Sequence, residues 1–397
     1  MELYILDKLL KRTAVVDLFE SLIWTERRTA FGDFDLRIIS TPETRGQFVT
    51  DVKLATNTST RVMTVETVED TTDEEGRQIL KVKGRSLEAM LEDRALVIPM
   101  EPGIALEDYP AEIMRWIFDT YCGDRPDNPD RIPFVTTGNL YPPDNLPEPD
   151  PVVWESEPKS VYDALKELAD LYDLGFRITR DYDTSKLYFN VYAGSDRTNL
   201  QSVLPAVIFS PDLENMKSTT ELTTIEKSKN VAYVNSTQGF EIVLADGLDP
   251  DTEGFERRVL LVKADDLPDT EEDDGAGGTI SVPPTPEEIS AHLIAVGKAE
   301  LKKTRPWSVF DGELVSQNSY KYDVDYMLGD LVTIQKADGT MSSMRITEQI
   351  FVHDREGERS YPTLAVDKFI EPGWWISWQY NKFWVDFGPT EYWADQP

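Results

Sequence analysis

From Leu187 to Val234 the chain reads as strand, tight turn, strand and strand again, and no other stretch narrows its possible folds so far. Leu187, Phe189 and Val191 alternate with Tyr188, Asn190 and Tyr192, the period of a half-buried strand. Ala193-Gly194-Ser195-Asp196 then supplies turn chemistry, and the short apolar run Val207-Ile208-Phe209 is stopped by Ser210-Pro211-Asp212. A further strand opens at Val231 and Tyr233. Nothing in the run sets a nucleophile beside a base, gathers metal ligands or cradles a phosphate, so it specifies scaffold.

A chain of 397 residues exceeds what one core supports, so about two to four domains are expected. Hydrophobic content of 40% suffices for real cores, and no apolar run approaches the roughly 18 residues of a membrane-spanning helix. Met1-Glu2-Leu3-Tyr4 lacks a cationic stretch before an apolar one, so no signal peptide is expected. With Cys122 the only cysteine, an intrachain disulfide is impossible, which fits synthesis in a reducing cytoplasm. The formal charge of -33 repels nucleic-acid phosphates, which argues against sequence-specific DNA or RNA binding through a basic face. Its plain reading is solubility.

The pattern divides into four segments. Residues 1–99 are mostly strands, with a hairpin turning at Asp70 to Gly76 and a short helix capped by Ser86, whose apolar face is Leu87, Met90 and Leu91. Residues 100–200 form a helical, proline-rich insertion. One helix follows Pro110, with Ile113, Trp116, Ile117 and Tyr121 at helical spacing before Cys122-Gly123. A second is capped by Ser160, carries Val161, Leu165, Leu168 and Tyr172 on its core face, and ends at Gly175. Residues 201–368 return to strands around a helix at 286–304, signalled by Thr285-Pro286-Glu287-Glu288 and by Ile289, Leu293, Val296 and Leu301. The acidic run Asp265 to Gly278 reads as a mobile loop. Gly32-Asp33-Phe34 and Gly329-Asp330-Leu331, each followed by a hairpin turning at Glu-Gly, form a faint internal repeat.

Residues 369–397 form an aromatic extension. Trp374, Trp375, Trp378, Trp384 and Trp393 are five of the nine tryptophans, joined by Tyr380, Phe383, Phe387 and Tyr392, and Asn381-Lys382 offers a hairpin turn. These nine residues are the candidate partner interface. Catalytic chemistry is weakly signalled. His292 and His353 lack metal-ligand partners at short spacing, and Asp249 to Gly254 copies only the first half of a calcium loop, with Arg257 and Leu260 where ligands belong. Gly275-Ala276-Gly277-Gly278 lacks the Lys-Ser/Thr of a phosphate loop. No cofactor, metal or catalytic residue is expected.

Five short motifs in order give the chain a resemblance: Gly32-Asp33-Phe34-Asp35-Leu36, Val82 to Leu91, the Gly-x-Asp-Arg-Thr turn at Gly194 to Thr198, Lys229 to Val234, and Leu328-Gly329-Asp330-Leu331-Val332. Together they resemble the minor tail, or baseplate-hub, proteins of long-tailed siphoviruses of actinobacteria. The resemblance implies an α+β, mainly β fold, with two related β-barrel-like tube domains flanking the helix-containing insertion and an aromatic C-terminal hairpin. It implies a non-enzymatic virion protein, made in the host cytoplasm and placed at the tail tip, which assembles as a homotrimeric ring. Its partners would be the distal tail protein ring, a downstream tail-tip or receptor-binding protein, the tape measure protein, and genomic DNA sliding through an acidic lumen. The alternative is a tail-tip glycan-binding or cell-wall-degrading protein, with the C-terminal aromatics as platform and a carboxylate pair as catalyst.

Overall fold

The computed structural model describes residues 1–73, 75–96, 104–138, 151–156, 158–273, 279–304, 307–314, 320–336 and 339–366. The chain divides into two compact units, Met1–Glu221 with Val309–Asp367, and Leu222–Ser308. It is mainly β with few helices.

The first unit is organised by one large sheet in which strands from early and late in the sequence pair with each other. From Gly357–Val366 the order runs to Met341–Asp354, Ser21–Arg27, Asp33–Ile39, Gln78–Ser86, Met63–Thr72, Lys53–Thr56, Leu3–Leu6 and Arg12–Val16. Among the described residues no ladder closes this path into a barrel. The strand Met341–Asp354 is the splice. Its first half pairs with Leu331–Gln335, its second half pairs Glu348 to His353 with Arg27 to Leu22, and the register slips between Ile346 and Glu348 where it changes neighbours. The Gly-Asp strands are seated differently. Asp33–Ile39 lies against Gln78–Ser86, the second strand of its hairpin, whereas Leu331–Gln335 lies against Met341–Asp354, the first strand of its own.

The insertion supplies the largest core. The helices Pro110–Tyr121 and Val161–Leu171 pack with a three-stranded sheet ordered Val135–Thr137, Leu187–Tyr192, Gly175–Arg180, and Phe118 stacks on Phe189 at 3.8 Å. Tyr4, Leu6, Leu10, Val62, Leu87 and Leu91 belong to the same cluster, so the insertion is continuous with the first segment. A second core holds Trp24, Phe34, Leu36 and Val82 with Phe351; a third holds Phe209, Tyr326, Leu328, Val332 and Ile346. The second unit is a two-layer arrangement. Helix Pro286–Lys303 covers a sheet ordered Phe240–Leu244, Val231–Asn235, Val259–Lys263.

Several local expectations change. Leu87–Asp93 is a 3-10 helix, and Ser86 does not cap it, because its Oγ instead accepts from the Gly32 amide at 2.8 Å. Trp116 is 42% exposed; the core face of its helix is Ile113, Met114, Ile117 and Phe118, since 3.6-residue spacing carries position 116 away from them. Gly175 opens a strand, and the left-handed residue after the second helix is Asp173 at φ 54°. Asn190 and Tyr192 are buried along with Leu187, Phe189 and Val191, so this strand is covered on both faces. The acidic run holds a strand, Thr270–Asp273, paired with Thr279–Val282, which pairs four of its residues in a ladder in place of an open loop.

Candidate functional site

Two of the sequence motifs turn out to be halves of one joint. Asp196–Arg197 pairs in parallel with Leu331 and Val332, and the Leu331 amide donates to the Ser195 carbonyl at 2.9 Å. Asp330 is fully buried at the centre. It accepts from the Ser195 amide at 2.7 Å, the Met327 amide at 3.0 Å and Arg197 Nε at 3.0 Å. Burial pushes its carboxyl above the usual range while these donors pull the other way. Gly194 has no alternative residue here: φ is 83°, and an added Cβ would stand 2.0 Å from the Gly329 carbonyl oxygen. Beside the joint, Asp173 pairs with Arg28 and, at 2.5 Å, with Arg345. Arg345 also donates to the Ala193 carbonyl at 3.2 Å, so the turn after the second helix is tied to both motifs.

A second buried cluster ties the first segment to the insertion and to the third segment. Arg61, 1% exposed, pairs with Glu88 and donates to the Arg27 carbonyl at 3.1 Å; Glu26 Oε2 lies 3.9 Å from it. Glu88 accepts from the Ile178 amide at 2.7 Å. Glu26 accepts from Ser59 and, at 3.0 Å, from the Tyr322 hydroxyl. Burial raises the Glu26 carboxyl above its ordinary value against the pull of Arg61 and the two hydroxyls, and Asp323 nearby raises it further. Asp323 is itself raised by burial, opposed by Arg177 and Arg61. Burial works against the charge of Arg61, but Glu88 chiefly holds it protonated. Charged groups so arranged bind strands and turns to one another.

A model of the family described as Siphovirus ReqiPepy6 Gp37-like protein matches residues 2–364. The chain belongs to that family. A search of curated proteins by sequence gives no match. Three solved structures share its fold. A tail protein from Neisseria meningitidis MC58 is 11% identical with a TM-score of 0.55, covering 92% of this chain and 96% of its own. The 43 kDa tail protein of prophage MuSo2 from Shewanella oneidensis is 13% identical at 0.52, covering 91% and 96%. Prophage tail protein gp18 from Listeria monocytogenes EGD-e is 10% identical at 0.51, covering 93% and 95%.

In this Gp37-like chain four of the five sequence motifs fall into two pairs. The Gly32-Asp33-Phe34 strand lies on the Val82 to Leu91 motif, with Asp33 opposite Arg85 and Phe34 opposite Gly84. Lys229 to Val234 leads into the central strand of the second unit. The nine aromatic residues Trp374, Trp375, Trp378, Tyr380, Phe383, Trp384, Phe387, Tyr392 and Trp393 lie outside the described residues. His353 sits by the N-terminal amine at 3.3 Å and packs edge-on against Phe19, and His292 contacts the Asp265 carbonyl at 3.1 Å. The Asp249 side chain accepts from the Asp251 amide at 2.9 Å, as turn residues do. Among the described residues no three His, Cys, Asp or Glu side chains converge as metal ligands. No described helix is long and apolar enough to cross a membrane. Sequence reading missed Glu26, Arg61 and Asp173 altogether, since nothing in their neighbours' spacing marks them; Glu88 and Asp330 were signalled only as parts of motifs.

Proposed function

We propose that this protein is a structural component of a long-tailed phage tail, serving as a homotrimeric hub ring at the distal tip of a phage of actinobacteria. The ring joins the distal tail protein ring to a downstream tip or receptor-binding protein, meets the tape measure protein, and lets the genome pass through its lumen. Its two β-rich regions, 1–99 and 201–368, act as related barrel-like tube domains that give a trimer six similar units, with 100–200 as insertion and 369–397 as contact segment. The nine C-terminal aromatics are the contacts between copies or with the next tail protein, with no catalytic role.

One observation carries this reading: the buried charged groups Glu26, Arg61, Glu88, Arg345 and Asp330, with the half-buried Asp173, are spent on tying distant strands and turns together. Family membership and a fold shared with three tail proteins support it. The acidic excess suits a wall that DNA slides past, since like charge prevents adhesion within about 8 Å at physiological salt. The test is the mass of the purified full-length protein in solution together with electron microscopy of labelled virions. A mass of three copies and label at the tail tip are expected. A monomer at all concentrations, or label elsewhere in the virion, overturns the hub reading.

A further inference from the structure

The sheet of the second unit has one face under its helix and an opposite face that is closed at the fully buried Val231 but bare around Leu261, Ile242 and Phe240. Ala232, Val234 and Val243 lie under the helix Pro286–Lys303, against Leu293 and Leu301. Tyr233 stands between Ile242 and Leu261 on the neighbouring strands, and Asn235 is opposite Phe240, so by the two-residue period these side chains point away from the helix. There Leu261 is 81% exposed, Phe240 53% and Ile242 48%, and the Tyr233 ring meets Phe240 edge-on at 5.8 Å. Among the described residues Phe240–Leu244 and Val259–Lys263 are also the outer strands of this sheet. An apolar face between two outer strands is the kind of surface that a soluble protein covers.

The sequence also holds a stretch rich in aromatic residues. Residues 367–397 follow the strand Gly357–Val366 and carry five of the nine tryptophans. Extended at about 3.3 Å per residue, they reach on the order of 100 Å, well beyond the width of a domain. A ring closes through head-to-tail contacts, which need two different and complementary patches on every copy.

We propose that the bare face of the second unit seats the aromatic segment 371–397 of the neighbouring copy, so that each protomer clasps the next. This rests on the oligomeric reading above. The test uses the full-length protein with Leu261→Glu and Phe240→Glu combined, and separately the milder Ile242→Thr. All three side chains are exposed, and unchanged circular dichroism confirms the fold. The expected result is loss of the oligomer mass and a red shift of tryptophan emission in the double variant, partial dissociation in Ile242→Thr, and dissociation of a chain ending before Glu371. If the double variant keeps the mass and emission of the parent while the shortened chain dissociates, the segment seats elsewhere; the proposal fails and the oligomeric reading stands. If the parent protein is monomeric at every concentration, the oligomeric reading fails and takes the proposal with it.

Discussion

Gly32-Asp33 and Gly329-Asp330 are the same dipeptide at the head of a strand, yet they end in opposite surroundings. Asp33 faces Arg27 at 2.5 Å with its side chain 46% exposed, on a sheet surface where Arg85 stands across from it. Asp330 has no exposure and is enclosed by two backbone amides and one guanidinium. A carboxylate in water can exchange its partner for solvent; a carboxylate in a joint between two chain segments cannot. What the motif contributes is therefore decided by the segment that meets it, 135 positions away in the case of Ser195 and Asp330.

The largest expected effect comes from removing each carboxylate in turn. Asp330→Ala leaves the Ser195 and Met327 amides and Arg197 without their acceptor and should cost about 3–5 kcal/mol in urea unfolding. Asp33→Ala should cost within about 1 kcal/mol. Equal losses would break the comparison. Next comes glycine. Gly194→Ala meets both a left-handed φ and a backbone oxygen at 2.0 Å, and should cost about 2–5 kcal/mol. Gly76→Ala, with φ 82° and open space, meets only the first of these and should cost about 1 kcal/mol.

The pH dependence should be smaller. In the folded protein Glu26 ionises above its ordinary value of 4.5, with burial as the main cause, and Asp323 and Asp330 are raised in the same way. The folded state thus holds these protons longer than the unfolded chain does. Stability is greatest with the carboxyls protonated in both states and falls as pH rises from the ordinary carboxylate range through the raised values. Glu26→Gln has no such proton, so the slope of urea midpoint against pH should flatten as pH rises above the ordinary carboxylate range; an unchanged slope would assign the dependence to other groups. The smallest effect is salt. Raising ionic strength to 1 M, where screening acts within about 3 Å, should shrink the loss in Asp33→Ala and leave that in Asp330→Ala nearly as it was.

Signals that act over a few residues were legible. Ser160 accepts from the Asp163 amide at 3.0 Å, and Thr285 forms the reciprocal box with Glu288, both where the sequence placed them. Pro110 begins its helix for the same reason: its missing N–H costs nothing there. Ser86 failed as a cap because a more distant partner, the Gly32 amide, claimed its hydroxyl. Asn190 looked like the solvent face of its strand, but its amide donates to Thr179 Oγ1 at 3.0 Å and a second layer buries it. The candidate site was hidden for the same cause on a larger scale. Arg61 and Glu88 are 27 positions apart and Glu26 and Tyr322 are 296 apart, and no periodicity in one segment registers what a remote segment will bring.

The splice strand also fixes an order of events during synthesis. Ser21–Arg27 leaves the ribosome early, but one of its two edges pairs only with Glu348 to His353. At about 5–20 residues per second, that partner arrives roughly 20–60 s later. Throughout that interval the nascent chain offers an unpaired row of backbone amides and carbonyls next to Trp24, the kind of edge on which a second nascent chain can add itself. A holding chaperone, or slow, dilute expression, should therefore raise the yield of correctly joined protein more than any change to the late C-terminal strands.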